Sequence, residues 1–388
     1  MPQFLFFCLL WLSPPPERPL RVPFFSDHFV ISLPDHYKPP ISQKSWTAPN
    51  LYAAFHLLDN TQPEAFIQHL QQFKTERQLN DWLFFLLVHA THAHAFPKAT
   101  PAQIAVLNWF VLTRCGYDAR LAYFESKVSL YLGTQSLLFE VPYLEEQQKR
   151  YVNVSAIVHP DTKDSQFYWP VYIDQPQPKN FSFELEQWPL LPPKPITQNF
   201  RFSFEGNPIE WSGQIDALPA DIMARFPLLE EAAYLHIPTS AFTQNTLIAQ
   251  IEQELKDKPL REKVSILASF TRSAFVYAED IDQFGSNKPM TAEETLLYPA
   301  SDCEDRVALF LQIAKNLIPA PMIAIAWPDH LSIGIAAPEI GGDFVRWKGK
   351  KYFICDPTGP ENNSQIGIIP EDYREQAFEV IQFQPGKP

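Results

Sequence analysis

A thiol, an imidazole and a carboxylate follow one another in the last quarter of the chain. Cys303 lies in Ser301-Asp302-Cys303-Glu304-Asp305-Arg306, His330 in Trp327-Pro328-Asp329-His330, and Asp356 in Tyr352-Phe353-Ile354-Cys355-Asp356-Pro357-Thr358. These residue types supply a nucleophile, a base that takes its proton and an acid that holds the base, which is the set that nucleophilic acyl transfer needs. Singly, each has an ordinary explanation: a buried apolar cysteine, a core histidine, an Asp-Pro-Thr turn. Their order and their placement on predicted elements carry the argument.

Ser301 and Glu304 stand at capping-box spacing before the apolar positions Val307, Leu309, Phe310, Leu311, Ile313, Ala314 and Leu317, so a helix is predicted to open there with Cys303 in its first turn. Free amide hydrogens and the positive end of the helix dipole favour a thiolate at that position, so the thiol's pKa is expected to fall. Leu331, Ile333 and Ile335 alternate within Trp327–Ala337, a strand pattern that contains His330, and Lys351–Cys355 reads as a second strand ending at Asp356. Two adjacent antiparallel strands against the start of one helix would bring the three side chains together.

These residues resemble the transglutaminase-like superfamily, a branch of the papain-like cysteine enzymes. The resemblance covers about Arg261 to Thr358 and rests on Asp302-Cys303-Glu304-Asp305, His330 and Asp356-Pro357-Thr358, with Phe275-Val276-Tyr277 and Thr295-Leu296 fitting the approach to the cysteine. It implies an α+β, papain-like catalytic domain, a helix bearing the cysteine packed on an antiparallel sheet. It also implies Cys303 as nucleophile, His330 as general base and Asp356 as the residue orienting it. For the oxyanion, the Cys303 backbone N–H is one candidate donor, and the side chains of Tyr277 and Gln283 are the others.

The first half of the chain carries an echo of the second. Pro101–Phe110 can be laid over Ser301–Phe310 without a gap, which sets Gln103 on Cys303. Lys127–Gly133 follows on Asp329–Gly334 and Lys149–Asn153 on Lys350–Ile354, so that Leu130 or a neighbour takes the place of His330 and Ser155 that of Asp356. An internal duplication whose first copy has lost its triad is the expectation, and chance likeness of two helix-then-hairpin segments is its rival. The expected domains are an apolar leader over 1–22, a degenerate transglutaminase-like domain over 23–160, a β-rich connector over 161–240, where Phe181–Glu186 and Phe200–Phe204 alternate, and the catalytic domain over 241–388. Helical spacing is predicted from Pro63 to Phe73, from Trp82 to Val88, across Leu247, Ile248, Ile251 and Leu255, and across Val264, Leu267, Phe270 and Ala274.

Composition bounds the function classes. With 388 residues, 46% hydrophobic and 19% charged, the chain can bury more than one core. A net charge of −13 without a Lys/Arg cluster argues against a nucleic-acid partner. The 38 prolines against 12 glycines point to fixed, extended connections. Phe4–Leu12 is too short to span a bilayer but suits the hydrophobic region of a secretory signal, although no Lys or Arg precedes it; export to the periplasm or cell envelope is the expectation and a cytoplasmic chain the alternative.

No cofactor or metal is expected. His89, His92 and His94 lack a carboxylate or thiol at ligand spacing, and the acidic stretch Ala278–Gly285 reads as a solvated turn rather than a calcium loop. Cys115 and Cys355 either pair or stay buried. The expected activity is thiol-dependent acyl transfer on amide or peptide bonds, most simply a cysteine peptidase or amidase acting on a protein or peptide substrate. A cross-linking transglutaminase and a non-catalytic binding or scaffold protein are the alternatives, and a peptide-deglycosylating variant is disfavoured because no Cys-x-x-Cys pairs are present.

Overall fold

Where apolar residues recur every three or four positions the chain forms helices, and where they alternate it forms strands. The computed structural model describes residues 19–160, 170–359, 366–369 and 371–383. The protein is a mixed α+β structure with antiparallel sheets, and two two-residue strands pair in parallel. It divides into two compact units, one made of 1–76, 83–133 and 153–180, the other of 77–82, 134–152 and 181–388.

The first unit opens on the hairpin β1 (Leu20–Phe24) and β2 (Asp27–Ile31), followed by α1 (Ala48–Asp59), α2 (Glu64–Glu76), α3 (Asp81–Ala95) and α4 (Pro101–Arg114). Its hairpin β3 (Ala119–Phe124) and β4 (Lys127–Thr134) comes next, then the short α5 (Val154–Val158). Leu20–Val22, counted with the leader by sequence, belong to β1, where Val22 is fully buried; the run Phe4–Leu12 lies outside the described residues. Thr100 caps α4 in a capping box with Gln103, and nearly every residue after Gln103 is buried, as expected of a helix apolar on all sides. Phe55 of α1 meets the rings of Trp109 and Phe110 at 5.0 Å each.

The second unit contains the hairpin β5 (Tyr143–Glu146) and β6 (Lys149–Asn153), a long hairpin β7 (Pro195–Phe204) and β8 (Asn207–Asp216), and the helices α6 (Leu218–Met223), α7 (Glu231–His236), α8 (Ala241–Thr243), α9 (Ala249–Leu255) and α10 (Leu260–Ser273). After β9 (Val276–Tyr277) come α11 (Asp280–Phe284), α12 (Ala292–Leu297), β10 (Ala300–Ser301) and α13 (Cys303–Leu317). A five-stranded antiparallel sheet completes the unit, in the order β13 (Phe344–Trp347), β14 (Lys350–Cys355), β12 (His330–Ile335), β11 (Met322–Trp327), β15 (Glu379–Gln382).

The alternation of β11 explains how that sheet is covered. Met322 and Ala324 share a core with Val307, Phe310, Ile313 and Ala314 of α13, while Ile323, Ile325 and Trp327 join Val345, Tyr352 and Ile354 in a second cluster. Strands β12 and β14 approach closely at Gly334, where a Cβ would stand 2.8 Å from that of Tyr352. The alternating aromatics of β7 and β8 do not form a separate core among the described residues. Phe200, Phe202 and Trp211 turn inward and pack against Phe270 of α10, with ring centroids at 5.4, 5.5 and 4.8 Å, in the same core as α13. Cys115 and Cys355 are both free and buried. No helix among the described residues is long and apolar enough to cross a membrane.

Candidate active site

The helix that carries the thiol is capped one residue later than its sequence predicts. Ser301 pairs with Tyr277 as the end of β10, and the capping box is made by Asp302 with Asp305, so that Cys303 is the first helical residue. Both serine and aspartate are good caps, and strand pairing of Ser301 decides between them. The shift frees Glu304 from capping. Its Oε2 accepts a hydrogen bond from the Cys303 thiol at 3.0 Å.

That contact overturns the expected fall in the cysteine's pKa. Burial, the Glu304 carboxylate and the nearby Asp302 push the thiol well above its ordinary range, while the backbone N–H of Leu331 works the other way. The dipole at one helix end, about half a charge, is outweighed by burial and by the Glu304 carboxylate at contact distance.

Strand β12 begins at His330, whose partner across the two-residue turn is Trp327. The backbone N–H of the residue that follows the histidine, Leu331, acts on the sulfur, whose own hydrogen bond goes to Glu304. His330 Nε2 is 2.9 Å from Asp356 Oδ2. Because an ionised carboxylate only accepts, Nε2 carries the proton and Nδ1 is left as the basic nitrogen. The ring of Tyr373 stacks on the imidazole at 5.0 Å and 8°, and Trp327 stacks behind Tyr373 at 5.7 Å. Asp356 closes β14 at 1% exposure. Burial alone would raise its pKa, but the bond from His330 and those from the Thr358 N–H and hydroxyl, at 3.0 and 2.8 Å on Oδ1, hold it below the usual carboxylate range.

Arg306, one turn into α13 and 2% exposed, ties these segments to one another. Its guanidinium donates to Ser301 Oγ at 3.1 Å, to the Thr358 carbonyl at 2.6 Å and to the Phe275 carbonyl at 3.0 Å, and it lies 5.1 Å from the Tyr277 ring. Arg272 adds a bond to the Asp356 carbonyl at 3.0 Å. The sequence shows Arg306 beside the cysteine but gives no sign of its role, because its acceptors are backbone groups from distant segments. Tyr373 was equally hidden.

Of the three candidate oxyanion donors, the Cys303 N–H is a first-turn amide with no acceptor inside its own helix. Tyr277 stands beside the thiol through its pairing with Ser301, but its hydroxyl donates to Glu279 at 2.9 Å, and burial, that bond and Cys303 raise its pKa. Gln283 sits on α11, and none of its described contacts reaches the sulfur.

The histidines of α3 are used internally. His92 joins Asn108 at 2.7 Å and the Tyr37 hydroxyl at 2.9 Å, while Asn108 also reaches His89 at 3.1 Å. Burial lowers the pKa of both His89 and His92 to about 4, so both stay neutral. In the first unit the positions that answer to the triad hold no such chemistry. Gln103 is the third residue of its helix rather than the first, and the Leu130 N–H donates to Ser155 Oγ at 2.9 Å.

Among the described residues one group has the make-up of a metal site: Asp280, Asp302 and Glu304, each offering an oxygen within 4.8 Å of the others. Neither a family model, nor a curated protein, nor a solved structure matches the chain.

Proposed function

We propose that the second unit is a papain-like, transglutaminase-like catalytic domain and that the protein is a thiol-dependent acyl-transfer enzyme acting on amide or peptide bonds, most simply a cysteine peptidase or amidase. What supports this reading is the His330–Asp356 bond at the start of a strand whose next amide, Leu331 N–H, lies near enough to the Cys303 sulfur to favour its thiolate. In this reading Cys303 attacks the carbonyl carbon and His330 Nδ1 takes the thiol proton. The developing oxyanion receives the Cys303 N–H, and the departing amine takes the proton back from the imidazole. Water then attacks the thioester, again with His330 as base, and the acid is released. Asp356 holds the ring with Nδ1 outward throughout. Val276 and Ile281, exposed beside Tyr277 and Asp280, offer apolar surface to a peptide substrate. The first unit, with its helix followed by a hairpin and its Leu130–Ser155 bond, is then a degenerate copy.

One observation favours a non-catalytic protein: the thiol is held by Glu304. Incubation with casein, with and without a fluorescent amine, separates the readings. Cleavage that Cys303→Ala abolishes and Asp356→Asn lowers by about 10³-fold or more supports the hydrolase. Amine incorporation without cleavage would make it a cross-linking enzyme. Wild-type protein inert in both arms would leave the binding protein.

A further inference from the structure

The structure assigns the hairpin of β13 and β14 as the docking edge for an acidic, extended segment of a partner protein. The stretch Arg346-Trp347-Lys348-Gly349-Lys350-Lys351 holds four of the chain's 31 Lys and Arg, in a protein of net charge −13. All four cations are exposed. Lys348 and Gly349 make the tight turn, with φ of 45° and 77°. The register sets Arg346 directly opposite Lys351, and both heads gather over the Phe344 ring, at 5.5 and 4.2 Å. Lys348 lies 4.2 Å from the centre of the Trp347 ring and donates to Gln382 at 3.4 Å. Among the described residues none of the four meets a carboxylate, and Asp343, the nearest acid in sequence, is taken by Arg374 and the Ile369 N–H. Like charges opposed across an antiparallel pair lower stability, and no described acid offsets them here.

The second observation is the backbone. β13 is the outermost strand of its sheet, and among the described residues no backbone bond from beyond the hairpin reaches Phe344–Trp347. The N–H and C=O groups of a strand alternate between its two edges, so half of those of β13 point outward with no strand to meet. A polypeptide pairs with such groups, whereas a lipid surface or a nucleic acid does not. Main-chain pairing calls for an extended segment, and the uncompensated cations call for acidic side chains along it.

Four cations are fewer than the roughly six to ten phosphate contacts of a nucleic-acid surface, so that partner stays disfavoured. Edge lysines elsewhere serve to repel other strands, and a hairpin built only for that would have no affinity for an acidic one. The docking edge uses none of Cys303, His330 and Asp356, so it stands independently of the enzymatic reading.

The test is fluorescence anisotropy of a labelled peptide of alternating glutamate and valine with the full-length protein. Saturable binding is expected at about 50 mM NaCl, weakening about threefold at about 200 mM. The same peptide with alternate amides N-methylated keeps its charge but cannot complete the ladder, and should bind about tenfold more weakly. Lys351→Glu should weaken binding about tenfold while raising Tm by about a degree, because it turns a cross-strand repulsion into an attraction. Arg346→Gln should weaken binding about threefold. No binding by wild type, binding unchanged in both variants, or equal binding of the N-methylated peptide overturns the proposal. Cosedimentation with phosphatidylserine vesicles in place of peptide binding would make the hairpin a membrane surface and overturns it as well.

Discussion

Replacing Glu304 by glutamine should make Cys303 more reactive. The Glu304 oxygen and the sulfur are 3.0 Å apart, and a carboxylate at that distance from a forming thiolate opposes it by about 5 kcal/mol at an effective dielectric near 20. Glu304 and Cys303 are both half-exposed, so water screens part of this and roughly half remains. A change of about 3 kcal/mol raises the ionised fraction at fixed pH about 100-fold. A less basic thiolate is also a poorer nucleophile, which gives back roughly eightfold, so the net gain is about tenfold. The assay is reaction with an aromatic disulfide reagent in EDTA buffer at pH 8, with Cys303→Ala as the blank that removes the contribution of the other cysteines. Buried Cys115 and Cys355 should add little. If Glu304→Gln reacts within twofold of wild type, the carboxylate does not control the thiol, and the account of its raised pKa is wrong.

Two further outcomes follow from buried charge. Arg306→Met should destabilise the second unit by roughly 3 kcal/mol, because three buried acceptors lose their donor, and urea titration monitored by tryptophan fluorescence measures it. Glu293, 1% exposed and held by Ser240 and Thr243, has its pKa raised from 4.5 to about 7, with burial as the leading cause. A carboxyl raised in the folded state binds its proton more tightly there, so stability is greatest below the unfolded value and falls as pH rises towards 7. The stability of wild type relative to Glu293→Gln should therefore drop by about 3 kcal/mol between pH 5 and pH 8, read from paired denaturant titrations. A difference that stays flat across that range would refute it.

The elements of the site were more legible than its chemistry. The long apolar run after Cys303, the alternation of Leu331, Ile333 and Ile335, and the strand ending at Asp356 are periodic signals, and each became an element within three residues of its expected bounds. Trp327, expected on the strand of His330, instead ends the strand before it, because Pro328 and Asp329 make the turn between them. The choice between Ser301 and Asp302 as cap rests on a two-residue pairing with β9 that no local pattern announces. The fall expected in the thiol's pKa failed for the same reason. A helix dipole is visible from sequence, whereas a carboxylate one residue away becomes decisive only once its rotamer is known. Arg306 and Tyr373 are nonlocal participants and were silent.

The stacking of Tyr373 on His330 bears on when the site can exist. A ribosome delivers Cys303, His330 and Asp356 well before it delivers the aromatic plate against which the imidazole rests, and before β15 closes the flank of β11. Until that late segment docks, the ring lacks one wall and has its bond to Asp356 to hold it.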